Sequence, residues 1–127
     1  MVVGIGIDLV DVDRLREKLS DELVSELFLE GEIEYCRSQV RYWENFAGRL
    51  AAKEAAFKAL GSGLSSGLRF RDVEIVRNSE TGSVSLLLHG KALETMEKKG
   101  IACMPVSISH TAKFAIALVI AEAPKTV

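Results

Sequence analysis

Histidine and cysteine are scarce in this chain, with two of each among 127 residues. Cys36 and Cys103 make neither a metal-spaced cluster nor a disulfide framework, so each reads as a small buried hydrophobe. A zinc site would need more histidine or cysteine than this. Positive charge is not in excess either. Sixteen Lys and Arg stand against eighteen Asp and Glu, a formal net charge of −2, which argues against a nucleic-acid partner. No run of about 20 apolar residues is present to span a bilayer. Asp8, Asp11 and Asp13 interrupt the first apolar run, so no secretory leader is predicted, and the expectation is a soluble, cytoplasmic protein. The glycine-rich stretch after residue 60 lacks P-loop spacing and has no following Lys-Ser/Thr. Ser107 and Ser109 lie in a strand beside His110 without a nucleophile elbow, which disfavours Ser-His-Asp hydrolysis. Repeats and low-complexity tracts are missing as well.

What is present fits one soluble domain over residues 1–127, with 48% hydrophobic and 27% charged residues, enough to bury a real core. Val2 to Val10 reads as a strand, with Ile5, Ile7 and Leu9 on one face and Gly4, Gly6 and Asp8 on the other. Two glycines on one face mark close approach by another backbone or a ligand. Short helices are expected over Asp11–Leu19, from Ser20 to about Leu29, and over Glu30–Ser38. A long helix follows from about Arg41 and is closed by Gly61. On it Phe46, Leu50, Phe57 and Leu60 form the core stripe, and Ala47, Ala51, Glu54 and Lys58 the adjoining one, where small alanines would leave a shallow groove wall for a ligand. Strands at Val73–Arg77 and Val84–Leu88 flank an Asn78–Gly82 turn. A helix at Lys91–Lys99, with Leu93 and Met96 inward, precedes strands at Pro105–His110 and Lys113–Ala121. The last of these is apolar on both faces, as for a strand buried on both sides. The order β-ααα-β-β-α-β-β predicts an α+β fold: a small, antiparallel-rich sheet packed against a long central helix.

Few side chains suggest chemistry. Asp8 serves either as a functional acid or as the N-cap of the next helix. Glu54 and Lys58 form either a surface i,i+4 pair, which stabilises a helix by roughly 0.2–0.5 kcal/mol, or part of a site. His110 is either a turn histidine bonded to local backbone or a phosphate donor or acid/base. Arg14, Arg16 and Lys18 make a basic patch that is either a solvated face or a docking surface. Asp8 with Glu54 suits Mg²⁺, which takes hard oxygen ligands from one or two carboxylates plus substrate phosphates. A lysine beside such a phosphate would neutralise charge on a leaving group. Together these parts point to magnesium-assisted phosphoryl-type transfer.

Three stretches, Gly4-Ile-Gly-Ile-Asp-Leu-Val-Asp-Val-Asp-Arg14-Leu, Phe46-Ala-Gly-Arg-Leu-Ala-Ala-Lys-Glu-Ala and Val106-Ser-Ile-Ser-His110, together resemble the holo-[acyl-carrier-protein] synthases, the small 4′-phosphopantetheinyl transferases. The resemblance runs in family order from near residue 1 to about residue 122. It implies an enzyme that moves 4′-phosphopantetheine from coenzyme A to a serine of apo acyl carrier protein, releases adenosine 3′,5′-bisphosphate and supports fatty acid biosynthesis. Asp8 and Glu54 match the family's Mg²⁺ ligands and Lys58 its phosphate-facing lysine, so these three would be catalytic. Arg49, Lys58, Gly82, Ser109, His110 and Thr111 would contact the coenzyme, with Arg49 toward the adenosine 3′-phosphate. Arg14 would dock the carrier. The base for the carrier serine stays open between Glu54, a metal-bound water and His110. The resemblance also implies a homotrimer with active sites between subunits. The hairpin departs from the family pattern, with Ser83 and Val84 where lysine and proline are usual. Two other readings use the same residues: a non-catalytic coenzyme or carrier-binding module, and a magnesium-dependent nucleotide phosphohydrolase.

Overall fold

The computed structural model describes residues 1–125. Two antiparallel sheets and five helices are organised around one of those helices. Strand β1 (Val2–Asp11) leads into α1 (Val12–Lys18), α2 (Asp21–Leu27), α3 (Glu30–Arg37) and the long α4 (Tyr42–Leu60). Two short 3₁₀ turns precede the hairpin β2 (Val73–Arg77) and β3 (Val84–Leu88), which is followed by α5 (Gly90–Lys98), β4 (Val106–His110) and β5 (Phe114–Glu122). Four helices, not three, thus separate β1 from β2. The larger sheet has the order β1-β5-β4, and β2-β3 stands apart. Asp8 lies opposite Ala117 in the β1–β5 register, and His110 opposite Ala115 in β4–β5.

Helix α4 packs on β1, β5, β4, β2, α1 and α3, so it is buried almost all round. Its alanines do not line a ligand groove. Ala47, Ala51, Ala52, Ala55, Ala56 and Ala59 are all buried, and they form the flat surface on which β1 and β5 lie. The two glycines of β1 complete this contact. A Cβ on Gly4 would stand 2.1 Å from the Ala59 carbonyl oxygen, and one on Gly6 1.8 Å from that of Ala55. The backbone that the glycine face admits is therefore that of α4. Gly6→Ala is expected to be among the most destabilising single changes, by about 4 kcal/mol or more, read from the urea midpoint. Gly61, at φ 72°, closes α4 in the left-handed conformation, which glycine adopts without a Cβ penalty.

A buried ion pair ties α4 to the neighbouring elements. Lys53, fully buried, donates to Glu32 Oε1 at 2.9 Å and to the carbonyl oxygens of Phe70 and Val73. Glu32 in turn accepts from the backbone N–H groups of Leu29 and Ile75. Burial lowers the Lys53 pKa, while Glu32 opposes that shift. Removing one partner would strand the other charge in the core, so Lys53→Met should cost about 3–5 kcal/mol, measured by chemical denaturation.

Several expectations are corrected. Cys36 is buried, and burial pushes its thiol up to about 11, but Cys103 is exposed. In α5 it is Ala92 that is buried, and Leu93 is exposed. In β5 only the alanine and Val119 face is buried, against α4. Phe114, Ile116 and Leu118 are open to solvent in the single chain, and Ile5, Ile7 and Leu9 of β1 continue that exposed apolar face.

Candidate active site

Asp8 and Glu54 meet. Asp8 sits on the α4-facing side of β1, on the same face as Gly4 and Gly6. Those glycines bring the strand onto the helix close enough for a short carboxylate to reach it. The Asp8 and Glu54 side chains lie within hydrogen-bonding reach, and Glu54 is pushed up to about 8. The causes, largest first, are desolvation of its carboxyl, the hydrogen bond with Asp8 and the charge of Asp8, with Lys58 pulling the other way. Of two carboxylates this close, one keeps its proton well above the ordinary carboxylate range.

Lys58 does not form the surface pair with Glu54 that its i,i+4 spacing suggests. Its Nζ donates to Asp8 Oδ1 and to the Ile7 carbonyl oxygen, each at 2.9 Å. An ammonium has three donors, and the Lys58 side chain is more than half exposed, so one N–H remains for a ligand. The helix cap that competed for Asp8 is supplied by Asp11, whose Oδ1 accepts from Arg14 N at 3.1 Å.

The arrangement suits a hard cation. Asp8 Oδ2 is buried and, among the described residues, has no hydrogen-bond partner, and the donor set is two carboxylates rather than imidazole or thiolate. Among the described residues no cluster of three or more His, Cys, Asp or Glu side chains converges.

Beside Glu54 runs a groove of about 340 Å³ whose walls include Leu15, Leu27, Leu50 and Phe70, with Arg14 and Lys18 at its rim. Arg16 lies instead over the Trp43 ring, 3.6 Å from its centroid, so the basic patch is narrower than the sequence suggests.

The residues expected to contact a coenzyme separate into groups. Arg49, Gly82 and His110 line one cavity of about 200 Å³ together with Tyr35, Glu44 and Arg77. Neither Asp8, Glu54 nor Lys58 belongs to it. His110 Nδ1 lies 3.0 Å from Glu44 Oε1. That partner is 66 residues away, on the first turn of α4, and no local sequence signal marks it. Ser109 points to the opposite face of the sheet from His110, opposite Ile116. The Thr111 hydroxyl accepts from the backbone N–H of Lys113 and of Phe114, which holds the β4–β5 turn. Within one chain, then, the Asp8–Glu54–Lys58 group and the arginine-histidine cavity are distinct.

Residues 4–119 match the model of the 4′-phosphopantetheinyl transferase superfamily. The chain is 42% identical to a holo-[acyl-carrier-protein] synthase of Solibacter usitatus, with 96% of this chain and 99% of that one covered. It is 44% identical to one of Syntrophus aciditrophicus, with 98% and 99% covered. A crystal structure of the Bacillus anthracis synthase, in complex with CoA (3′,5′-ADP), superposes with a TM-score of 0.81 at 32% identity, covering 98% of this chain and 99% of that one. Identity at this level over nearly full length, with the strand-borne acid and helix-borne acid and lysine already in contact, makes this chain a member of the 4′-phosphopantetheinyl transferase superfamily, in its holo-[acyl-carrier-protein] synthase branch.

Proposed function

We propose that the chain, as one transferase domain, moves the 4′-phosphopantetheine group from coenzyme A to a serine of apo acyl carrier protein in an Mg²⁺-dependent reaction, releasing adenosine 3′,5′-bisphosphate. Its place is cytoplasmic fatty acid biosynthesis. The observation that carries this reading is the contact of Asp8, Glu54 and Lys58 beside a groove that ends in a basic helix.

Asp8 and Glu54 would hold the metal, which when bound supplies Lewis-acid stabilisation of phosphate oxygens. Lys58 keeps one N–H directed to the same phosphate and offsets the negative charge that grows on the departing bisphosphate. Ile7 and Asp8 fix that ammonium, so little reorganisation is needed during reaction. The apolar walls of the groove suit an uncharged pantetheine arm, and Arg14, with Lys18 beside it, faces an acidic carrier surface. Glu54 is the chain's group for receiving the serine proton, because it stands in the same group as Asp8 and Lys58. Arg14→Glu should raise the KM for the carrier at least about 10-fold while leaving coenzyme affinity unchanged, since only charge complementarity with the carrier is reversed.

The exposed apolar face of β1 and β5 supports a homotrimer. Ile5, Ile7 and Leu9 are 63%, 55% and 59% exposed, beside Ile116 at 40% and Leu118 at 38%. A contiguous apolar patch of this kind on a soluble protein marks an interaction surface, and closed symmetry lets identical copies bury it. Assembly through that face would bring Ser109 of each copy into the interface. It would also allow the Arg49–His110 cavity to complete the Asp8–Glu54–Lys58 site of a neighbour.

The product tests the reading. Adenosine 3′,5′-bisphosphate should appear in step with carrier consumption on chromatography. Adenosine 3′,5′-bisphosphate and free 4′-phosphopantetheine released without carrier consumption would replace transfer with hydrolysis.

A further inference from the structure

The geometry points to Arg77 as a second phosphate-binding cation, acting with Arg49 beside the Tyr35 ring to grip one phosphomonoester of the ligand. Arg49 rises from α4, is 6% exposed, and has a buried Nε without a hydrogen-bond partner. Arg77 ends β2 and is exposed. The two guanidinium carbons lie 4.6 and 5.0 Å from the Tyr35 ring centroid, and both side chains line the cavity that holds His110. Among the described residues neither arginine has a carboxylate partner. The acids around this cavity and the adjoining one are engaged elsewhere: Glu44 with His110, Glu32 with Lys53, and Glu74 with His89.

Two unpaired guanidiniums beside one ring repel each other, and stacking on a tyrosine offsets little of that. A dianionic phosphate between them satisfies both, because the planar guanidinium fork matches phosphate oxygens. The hairpin is shaped for the second arginine. Gly82 adopts φ 75°, and a Cβ there would stand 3.4 Å from an Arg77 Nη. Arg77 pairs with Val84 in the β2–β3 register, next to Ser83, where the family pattern has a lysine. The cation missing from one strand of this hairpin is thus supplied from the other.

This inference rests on the transferase reading, in which Arg49 faces the adenosine 3′-phosphate. Calorimetry on the intact protein with Mg²⁺ tests it without a carrier. Arg77→Met should weaken adenosine 3′,5′-bisphosphate binding about 10- to 100-fold, the range for one charge-assisted contact, and leave adenosine 5′-monophosphate unchanged. Arg77→Lys should lose less. In turnover, Arg77→Met should raise the KM for coenzyme A at constant kcat, with no change for 3′-dephospho-coenzyme A. Unchanged bisphosphate affinity, or equal loss for both nucleotides, would overturn the role of Arg77. Failure of the parent chain to modify a carrier would instead overturn the transferase reading.

Discussion

Glu54→Gln is expected to abolish metal-dependent transfer, by about 10²–10⁴-fold in kcat, while making the metal-free protein more stable. The two effects share one cause. Glu54 is held at about 8 against an ordinary 4.5, chiefly by desolvation and then by Asp8. An acid whose folded pKa lies above its unfolded value contributes most to stability below about 4.5, and that contribution is lost as pH climbs through about 8. The metal-free parent should therefore lose stability over this window, and the glutamine variant should not. Because Glu54 is half-buried, solvent screening reduces the difference to about 1–2 kcal/mol at pH 9, a rise of several degrees in Tm. Mg²⁺ should raise the parent's Tm most at alkaline pH and leave the variant's nearly unchanged. Thermal unfolding at pH 5 and pH 9, with and without Mg²⁺, reads all of this. A variant less stable than the parent at pH 9 without metal would contradict the carboxylate pair as described.

Leu118→Glu is expected to convert the assembly to monomers and to lower transfer at least about 10²-fold. Leu118 faces outward from β5, opposite Ile7, so its substitution leaves the α4 contact untouched. In the proposed trimer, a carboxylate placed on this apolar face would lose its hydration without gaining a partner. Light scattering should show one chain in place of three. Activity should fall because the Arg49–His110 cavity and the Asp8–Glu54–Lys58 group would then remain on separate molecules. Co-expression of Glu54→Gln with Arg49→Ala should restore part of the lost activity, since a mixed trimer contains one interface with both sites intact. A fully active monomer would rule out shared sites.

Much of the architecture is legible in the sequence because it depends on local spacing. The period-two alternation of β1 places Gly4, Gly6 and Asp8 on one face, and α4 ends where Gly61 allows a left-handed turn. Both hairpin strands fall where their apolar runs predict. The site is legible in its residue types, and less so in its partners. Lys58 has Glu54 four residues away, yet it pairs with Asp8, 50 residues distant, because β1 descends onto α4 between them. The alanine stripe reads as a groove wall from composition alone, since nothing in α4 itself reveals that two strands cover it. Glu32 with Lys53 and Glu44 with His110 are both long-range pairings with no periodic signature. Similarly, the double apolar face of β5 predicts burial on both sides, and burial of its larger face requires another chain.

Intact-mass measurement of a carrier protein incubated with this chain, coenzyme A and Mg²⁺ tests the central claim most directly. A carrier heavier by one phosphopantetheine, formed by the parent and not by Glu54→Gln, is the predicted result. An unmodified carrier, with coenzyme A either bound unchanged or merely hydrolysed, would contradict it.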